Sequence, residues 1–186
     1  AHILDLGTGS GCIVIALATQ LPRAQFWACD ISCGALAVAS QNARRHGVSD
    51  RITFVQADMR GSLVAILSKI ATLSKIAHFD LIVTNPPYIA QPDLSTLQPE
   101  VRDWEPRLAL DGGRDGLDFY RRLLQDCPRL LRPGGWLVME IGHAQSEAVM
   151  GMAEAQATLT SCGVWPDYAG LPRVVSAQRQ EQSWSE

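Results

Sequence analysis

Five short apolar runs constrain the fold of this chain more than any other feature. They read HILDLG at 2–7, QFWACDI at 25–31, ITFVQAD at 52–58, FDLIVTN at 79–85 and GWLVMEIG at 135–142. The runs are largely continuous rather than alternating, and a strand apolar on both sides must be covered on both faces. That is the condition of a parallel sheet lying between two layers of helices. The segments between the runs supply those helices. Cys12–Gln20 follows a glycine cluster and stops before Pro22. Cys33–His46 has Ser32 as its N-cap and Gly47 as a left-handed stop. Leu117–Leu131 leads to Pro133, Gly134 and Gly135, which turn the chain into the next strand. The order βαβαβαβαβ predicts a doubly wound α/β sheet, Rossmann-like in plan. Beyond it, a helix over 145–156 and strand-like pieces at 164–168 and 173–178 predict a hairpin on the sheet edge. The final QRQEQSWSE reads as a polar, frayed end.

At 186 residues the chain is long enough for one domain with a full core. No apolar run approaches the roughly 20 residues that cross a bilayer. The net charge of −3 gives no general attraction to nucleic acid or to an anionic membrane, although a local basic face stays open. The cysteines, Cys12, Cys29, Cys33, Cys127 and Cys162, contain no C-x-x-C pair and no zinc spacing. They are expected to be reduced thiols acting as small apolar residues, which favours a reducing, cytoplasmic setting. His2, His46, His78 and His143 form no metal or triad pattern and read as structural or surface residues. A tandem repeat, LSKIAT at 67–72 and LSKIAH at 73–78, carries both lysines. Leu63, Ile66, Leu67, Ile70, Leu73 and Ala77 fall on one helical stripe, so the repeat reads as a tolerated lengthening before the fourth strand. The chain opens AHILDLG, already inside a strand, so an upstream segment is expected.

DLGTGSG at 5–11 sits at the first strand-to-helix turn. Gly7, Gly9 and Gly11 alternate with Thr8 and Ser10, and such glycines let the backbone bend sharply against a ligand. The dinucleotide fingerprint G-x-G-x-x-G places its third glycine one residue later, which disfavours a nicotinamide dehydrogenase. Three carboxylates sharpen the reading. Asp5 ends the first strand, where it can hold a cationic amino group or order the loop. Asp30 ends the second, where a carboxylate can accept from both ribose hydroxyls. Asp58 ends the third, where it can meet an adenine amino group with Met59 beside the ring. So many anions do not suit a pyrophosphate. They suit a ligand with a ribose, an adenine and a positively charged tail, a description that S-adenosylmethionine fits. Together with VTNPPYIA at 83–90, these residues resemble a class I methyltransferase of the type that methylates an exocyclic or amide nitrogen.

In that group the Asn-Pro-Pro-aromatic turn binds a planar NH2. Two prolines end the strand, because neither offers a backbone N–H. The side-chain oxygen of Asn85 and the carbonyl of Pro86 can accept from the two hydrogens of such a nitrogen, with Pro87 stiffening the turn and Tyr88 packing on the flat group. Asn85 has no useful basicity, so it orients and stabilises rather than removing a proton.

EPRLALDGGRDGLDFYRRLL at 105–124, RPGGWLVMEIGHAQSEAV at 132–149 and DYAGLPRVVSAQR at 167–179 make the resemblance closer. The chain is similar, nearly end to end, to the catalytic domain of the peptide-chain release factor glutamine N5-methyltransferases. The resemblance implies a seven-stranded sheet, S-adenosylmethionine as donor and the glutamine of a Gly-Gly-Gln loop as acceptor. The sequence itself leaves the oligomeric state open, with a monomer expected, and the resemblance spans a catalytic domain over 1–179 with a polar tail at 180–186. It also implies that Glu105 and the Asp111–Asp115 loop lie near the substrate cleft. That family's N-terminal helical domain is absent from the sequence. A ribosomal-protein glutamine methyltransferase is the nearest rival. An adenine N6 or guanine N2 methyltransferase would need a basic groove or a target-recognition domain, and the Arg44/Arg45 and Arg121/Arg122 pairs read as solvated helix faces. A binding module without activity would keep the glycine loop and need no intact NPPY.

Overall fold

The computed structural model describes residues 1–61, 63, 66, 68–70 and 78–181. Strands β1 (His2–Leu6), β2 (Gln25–Asp30), β3 (Ile52–Gln56), β4 (Phe79–Thr84), β5 (Leu131–Glu140), β6 (Leu159–Pro166) and β7 (Pro172–Arg179) form one sheet. Their order is β3-β2-β1-β4-β5-β7-β6. The first five run parallel, and β7 runs antiparallel to both β5 and β6. The expected edge hairpin is therefore present, with its second strand inserted between the parallel sheet and its own partner.

The continuous apolar runs bury both faces, as a covered parallel sheet requires. On one side Ile3, Phe26, Ala28 and Ile52 pack with Val14, Ile15 and Ala18 of α1 (Cys12–Gln20) and Ala43 of α2 (Cys33–Arg45). On the other, Leu4, Leu6, Trp27, Val55 and Ile82 pack with Tyr120, Leu123, Leu124 and Cys127 of α3 (Asp118–Leu130) and Val149 of α4 (Ser146–Glu154). Trp27 stacks edge-on against Phe79 and against His2. The expected cap of α2 is present, with the Ser32 hydroxyl accepting from Ala35 N at 3.2 Å and Gly47 at φ 66°.

Several expectations move. The strand placed at 164–168 begins at Leu159, because Leu159 is buried and seats against Arg179 of β7. Pro133-Gly134-Gly135 does not turn α3 into β5. It lies within β5 as an irregularity, with Phe79 opposite Leu131 and Leu81 opposite Trp136. Cys29 and Cys127 are buried apolar residues, their thiols pushed well up by burial, Cys29 to about 12. Cys12 and Cys33 are exposed at the starts of α1 and α2, so the small-apolar reading fails for them. Of the proposed stripe before β4, Leu63, Ile66 and Ile70 are helical and buried. Leu67, Leu73, Ala77 and most of the repeat lie outside the described residues. No helix among the described residues is long and apolar enough to cross a membrane.

Candidate active site

The strand order reverses beside β1: β2 and β3 lie to one side of it, β4 and β5 to the other. At such a point the loops leaving the carboxyl ends diverge and open a crevice. Leu6 and Thr84 are the last paired residues of β1 and β4, and the Thr84 hydroxyl donates to Leu6 O at 2.8 Å. The next residues, Gly7 and Asn85, therefore start the two loops side by side. A Cβ built on Gly7 would lie 3.4 Å from Met59 Cε and 3.9 Å from Asn85 O. The glycine loop, the end of the third strand and the NPPY turn thus converge on one point.

The glycine loop is bent by positive φ at Gly7, Gly9 and Gly11. Its first two amides, Gly7 N and Thr8 N, donate to Cys29 O at 2.9 Å. Gly11 is required for packing as well: a Cβ there would meet Ile15 Cδ1 at 2.9 Å and Ala39 Cβ at 3.1 Å. At Gly9 nothing lies within 4 Å of the missing Cβ, so the loop faces open space there.

The three carboxylates sit in three different environments. Asp5 is buried, and its Oδ2 accepts from the Thr8 hydroxyl at 2.7 Å. Its Oδ1 is buried without a hydrogen-bond partner. Burial raises its pKa to about 6, with the charge of Asp30 adding to the rise and the Thr8 hydroxyl and the Val14 backbone opposing it. A buried carboxylate oxygen lacking a donor is costly, and a cationic donor is what would relieve it. Asp30 accepts from Gly9 N through Oδ2 and from Ser32 N through Oδ1, both at 2.9 Å. It therefore ties the glycine loop to the start of α2, and each oxygen has capacity to accept a further bond. Asp58 is exposed and gripped by Arg60, whose Nε and Nη2 reach Oδ1 and Oδ2 at 3.0 Å. That guanidinium holds the Asp58 carboxyl below its usual range.

On the other side of the crevice, Asn85 is exposed, Pro86 is buried, and Pro87 and Tyr88 are half-buried. The Tyr88 hydroxyl donates to Glu140 Oε1 at 3.4 Å, and burial, then the charge of Glu140, raises its pKa. Arg173 of β7 approaches the same pair while forming an ion pair with Asp167 at 3.1 Å. The turn is stitched to the loop at 111–116. Ile89 N donates to Leu110 O, Gly112 N to Ile89 O, and Gln91 N to Gly113 O, each at 2.9 Å. The contact is so close that a Cβ on Gly112 would lie 2.7 Å from Tyr88 Cα. The Asp111–Asp115 loop thus lies against the NPPY turn. Beyond it, a cleft of about 320 Å3 is lined by Arg60, Gln91, Asp111, Gly113, Phe119 and Arg122. Glu105 is exposed on the segment leading to this loop and does not line that cleft. Arg121 and Arg122 are both exposed on their helix, as expected, Arg121 paired with Asp115 and Asp118 and Arg122 bordering the cleft and donating to Gly61 O. Among the described residues no cluster of His, Cys, Asp and Glu could hold a metal ion.

Three residues of this half had no signal in the sequence. Glu140 ends a strand read only as apolar, Arg173 sits in a hairpin read only as an edge, and Gln145 opens a helix. The amide of Gln145 donates to Tyr88 O at 2.9 Å and to Gly116 O at 3.2 Å. For Gln145, the G-x-x-Q spacing from Gly142 suggests a helix cap and nothing about the turn 57 residues earlier.

The chain matches the family described as "Methyltransferase domain" along residues 1–184. It is 48% identical over 178 residues to the release factor glutamine methyltransferase of Geobacter sulfurreducens, covering 96% of this chain and 58% of that protein. It is 47% identical to the protein of that name from Moorella thermoacetica, covering 97% and 59%. The chain therefore spans less than two thirds of the length of these relatives. Among solved structures, TrmN from Thermus thermophilus superposes with a TM-score of 0.64 at 24% identity, covering 96% of this chain and 43% of that one. A methyltransferase from Pyrococcus furiosus gives 0.63 at 15% identity, covering 96% and 74%. At those identities the structures speak for the sheet alone.

Proposed function

The chain belongs to the methyltransferase-domain family, and from that premise we propose that it transfers a methyl group from S-adenosylmethionine to the side-chain amide nitrogen, N5, of a glutamine in a peptide-chain release factor. The convergence of Gly7, Met59 and Asn85 at the switch point carries the chemical part of this reading. The substrate part is supported by the likeness to proteins named release factor glutamine methyltransferase. Residues 1–179 are taken as the catalytic unit, acting as a monomer in the cytoplasm.

The donor fits the residues present. The unpartnered Oδ1 of Asp5 is suited to its ammonium group, the open side of Gly9 to its close approach, Asp30 to its ribose hydroxyls, and Met59 to the adenine face. Asp58 can take the adenine amino group provided it shares its carboxylate with Arg60. When bound, S-adenosylmethionine supplies a methyl activated by sulfonium.

The rest falls to the chain. An amide nitrogen is a poor nucleophile because its lone pair is delocalised into the carbonyl. The side-chain oxygen of Asn85 and the carbonyl of Pro86 accept its two N–H bonds, fix its plane and draw electron density toward nitrogen. Pro86 and Pro87 hold both acceptors rigid, and Tyr88 borders the flat group. Alignment of this kind accounts for roughly 7–11 kcal/mol of a barrier. No general base is needed beforehand: the new N–C bond would replace the donor's S–C bond, S-adenosylhomocysteine would leave, and the methylated nitrogen, now acidic, would give its proton to solvent.

The test is to incubate the protein with donor labelled in its methyl group and, separately, a release factor, ribosomal protein, DNA or RNA. Label on the release factor, mapped to a glutamine side chain, is the expected result. Label confined to nucleic acid or to the ribosomal protein overturns the substrate.

A further inference from the structure

We infer that Gln145, which lies outside the donor crevice and the NPPY turn, is the positioning residue of the acceptor site. Its side chain stands where three segments meet: the NPPY turn, the loop at 111–116 and the start of α4. The amide nitrogen donates to Tyr88 O at 2.9 Å and to Gly116 O at 3.2 Å, and the amide oxygen accepts from Gly142 N at 3.0 Å. These partners fix which way the amide points. Two carbonyls on one side and an N–H on the other leave a single assignment, since a flip would set oxygen against two acceptors.

The two donated bonds do something a helix cap does not. Tyr88 O is the carbonyl two residues after Pro86, so the bond anchors the C-terminal end of the turn whose Asn85 and Pro86 oxygens are proposed to hold the substrate. Gly116 O belongs to the loop at 111–116, and one NH2 group clamps both. The surrounding packing leaves no alternative seat. At Gly116, with φ 77°, a Cβ would lie 2.4 Å from Tyr88 O and 2.7 Å from Gln145 Nε2. Turn and loop are otherwise linked by backbone bonds of Ile89, Gln91 and Gly112 and by a long side-chain bond from Gln91 to Asp111 at 3.5 Å. An acceptor pair works only while its two oxygens keep their spacing, and small misplacement is expensive in rate.

The inference rests on the acceptor reading of NPPY, and its test separates the two. Gln145→Glu keeps the shape and the oxygen that caps Gly142 but places a second acceptor against both carbonyls. Gln145→Met removes all three bonds at similar volume. In both variants, turnover with release factor should fall at least tenfold while the Michaelis constant for donor stays within about twofold. Hydrogen exchange at Ile89, Gln91 and Gly112 should accelerate at least tenfold, with β1 to β3 unchanged. A residue serving only as a helix cap would leave Gln145→Glu near wild type, and that outcome overturns the inference. So does unchanged exchange at those three amides, or donor binding that falls in parallel with turnover. If the wild-type protein methylates no release factor, the substrate reading fails, while the exchange rates still decide whether Gln145 holds the turn.

Discussion

The glycine-loop side of the crevice is shaped by bonds within the loop and to the next strand and helix, at Cys29, Asp30 and Asn42, and the NPPY side by bonds that reach more than fifty residues along the chain. Thr8 bonds to Asp5 three residues away, Gly11 N reaches Thr8 O, and Ser32 N reaches Asp30 two residues back. The NPPY turn, by contrast, is held by Glu140 and Gln145, 52 and 57 residues downstream, and by a loop some twenty residues on. A site built from local bonds survives as a motif, because its geometry needs only a short string of residue types. A site built by distant clamps depends on the whole sheet being in register. The difference teaches that donor binding and acceptor alignment should fail separately when the protein is perturbed.

The largest effect that could break this comparison comes from Asn85→Ala. Removing one preorganised acceptor should cost about a hundredfold or more in turnover. Donor affinity, followed by calorimetry, should change less than about twofold. Loss of donor binding to the same degree would mean that the two sides are one site and not two.

A middle-sized effect is expected at Asp5, and its sign can be worked out. The folded pKa of about 6 lies above the ordinary 3.8, so the native state holds the proton more tightly than the unfolded chain. The stability from that proton is complete below about pH 4 and is lost as pH rises through 6, to an order of magnitude of about 3 kcal/mol. Asp5→Asn should therefore raise the Tm of the donor-free protein at pH 8 and leave it nearly unchanged at pH 4. The same substitution should weaken donor binding about tenfold. In the wild type, donor affinity should fall as pH drops below 6, and in the variant that slope should vanish. Equal Tm values for both proteins at every pH would show that the carboxylate carries no such stress.

The smallest effect sharpens the contrast from the acceptor side. Tyr88→Phe removes the 3.4 Å bond to Glu140 and the hydroxyl's approach to Arg173, contacts that are long and correspondingly weak. Turnover should drop no more than about threefold, and chemical denaturation should show a loss of about 0.5 kcal/mol. A drop comparable to that of Asn85→Ala would give the hydroxyl a role in alignment that its geometry does not suggest.

How much of this was legible beforehand follows the same division. The parallel sheet could be read from continuous apolar runs, because coverage on both faces leaves no polar alternation. The glycine loop, Asp5, Asp30 and NPPY could be read because each breaks the local pattern at a strand end. The state of each carboxylate was not legible. That Asp5 keeps an unpartnered oxygen, or that Asp58 is gripped by Arg60, depends on how closely neighbours pack. Gln145, Glu140 and Arg173 were invisible because ordinary helix, strand and hairpin residues leave no local trace of a distant partner. The start of β6 was misplaced because Leu159-Thr-Ser-Cys-Gly is weak strand sequence, and pairing with β7 overrides it.

The insertion of β7 between β5 and β6 bears on how the protein is born. As the ribosome delivers the chain from its N-terminus, β1 to β5 emerge first, and the outer flank of β5 stays bare until residues 172–179 have cleared the exit tunnel. A bare parallel flank invites pairing with other nascent chains. The hairpin is thus the closing bolt of biosynthesis, and a chain cut short before Pro172 should accumulate as aggregate rather than as a smaller enzyme.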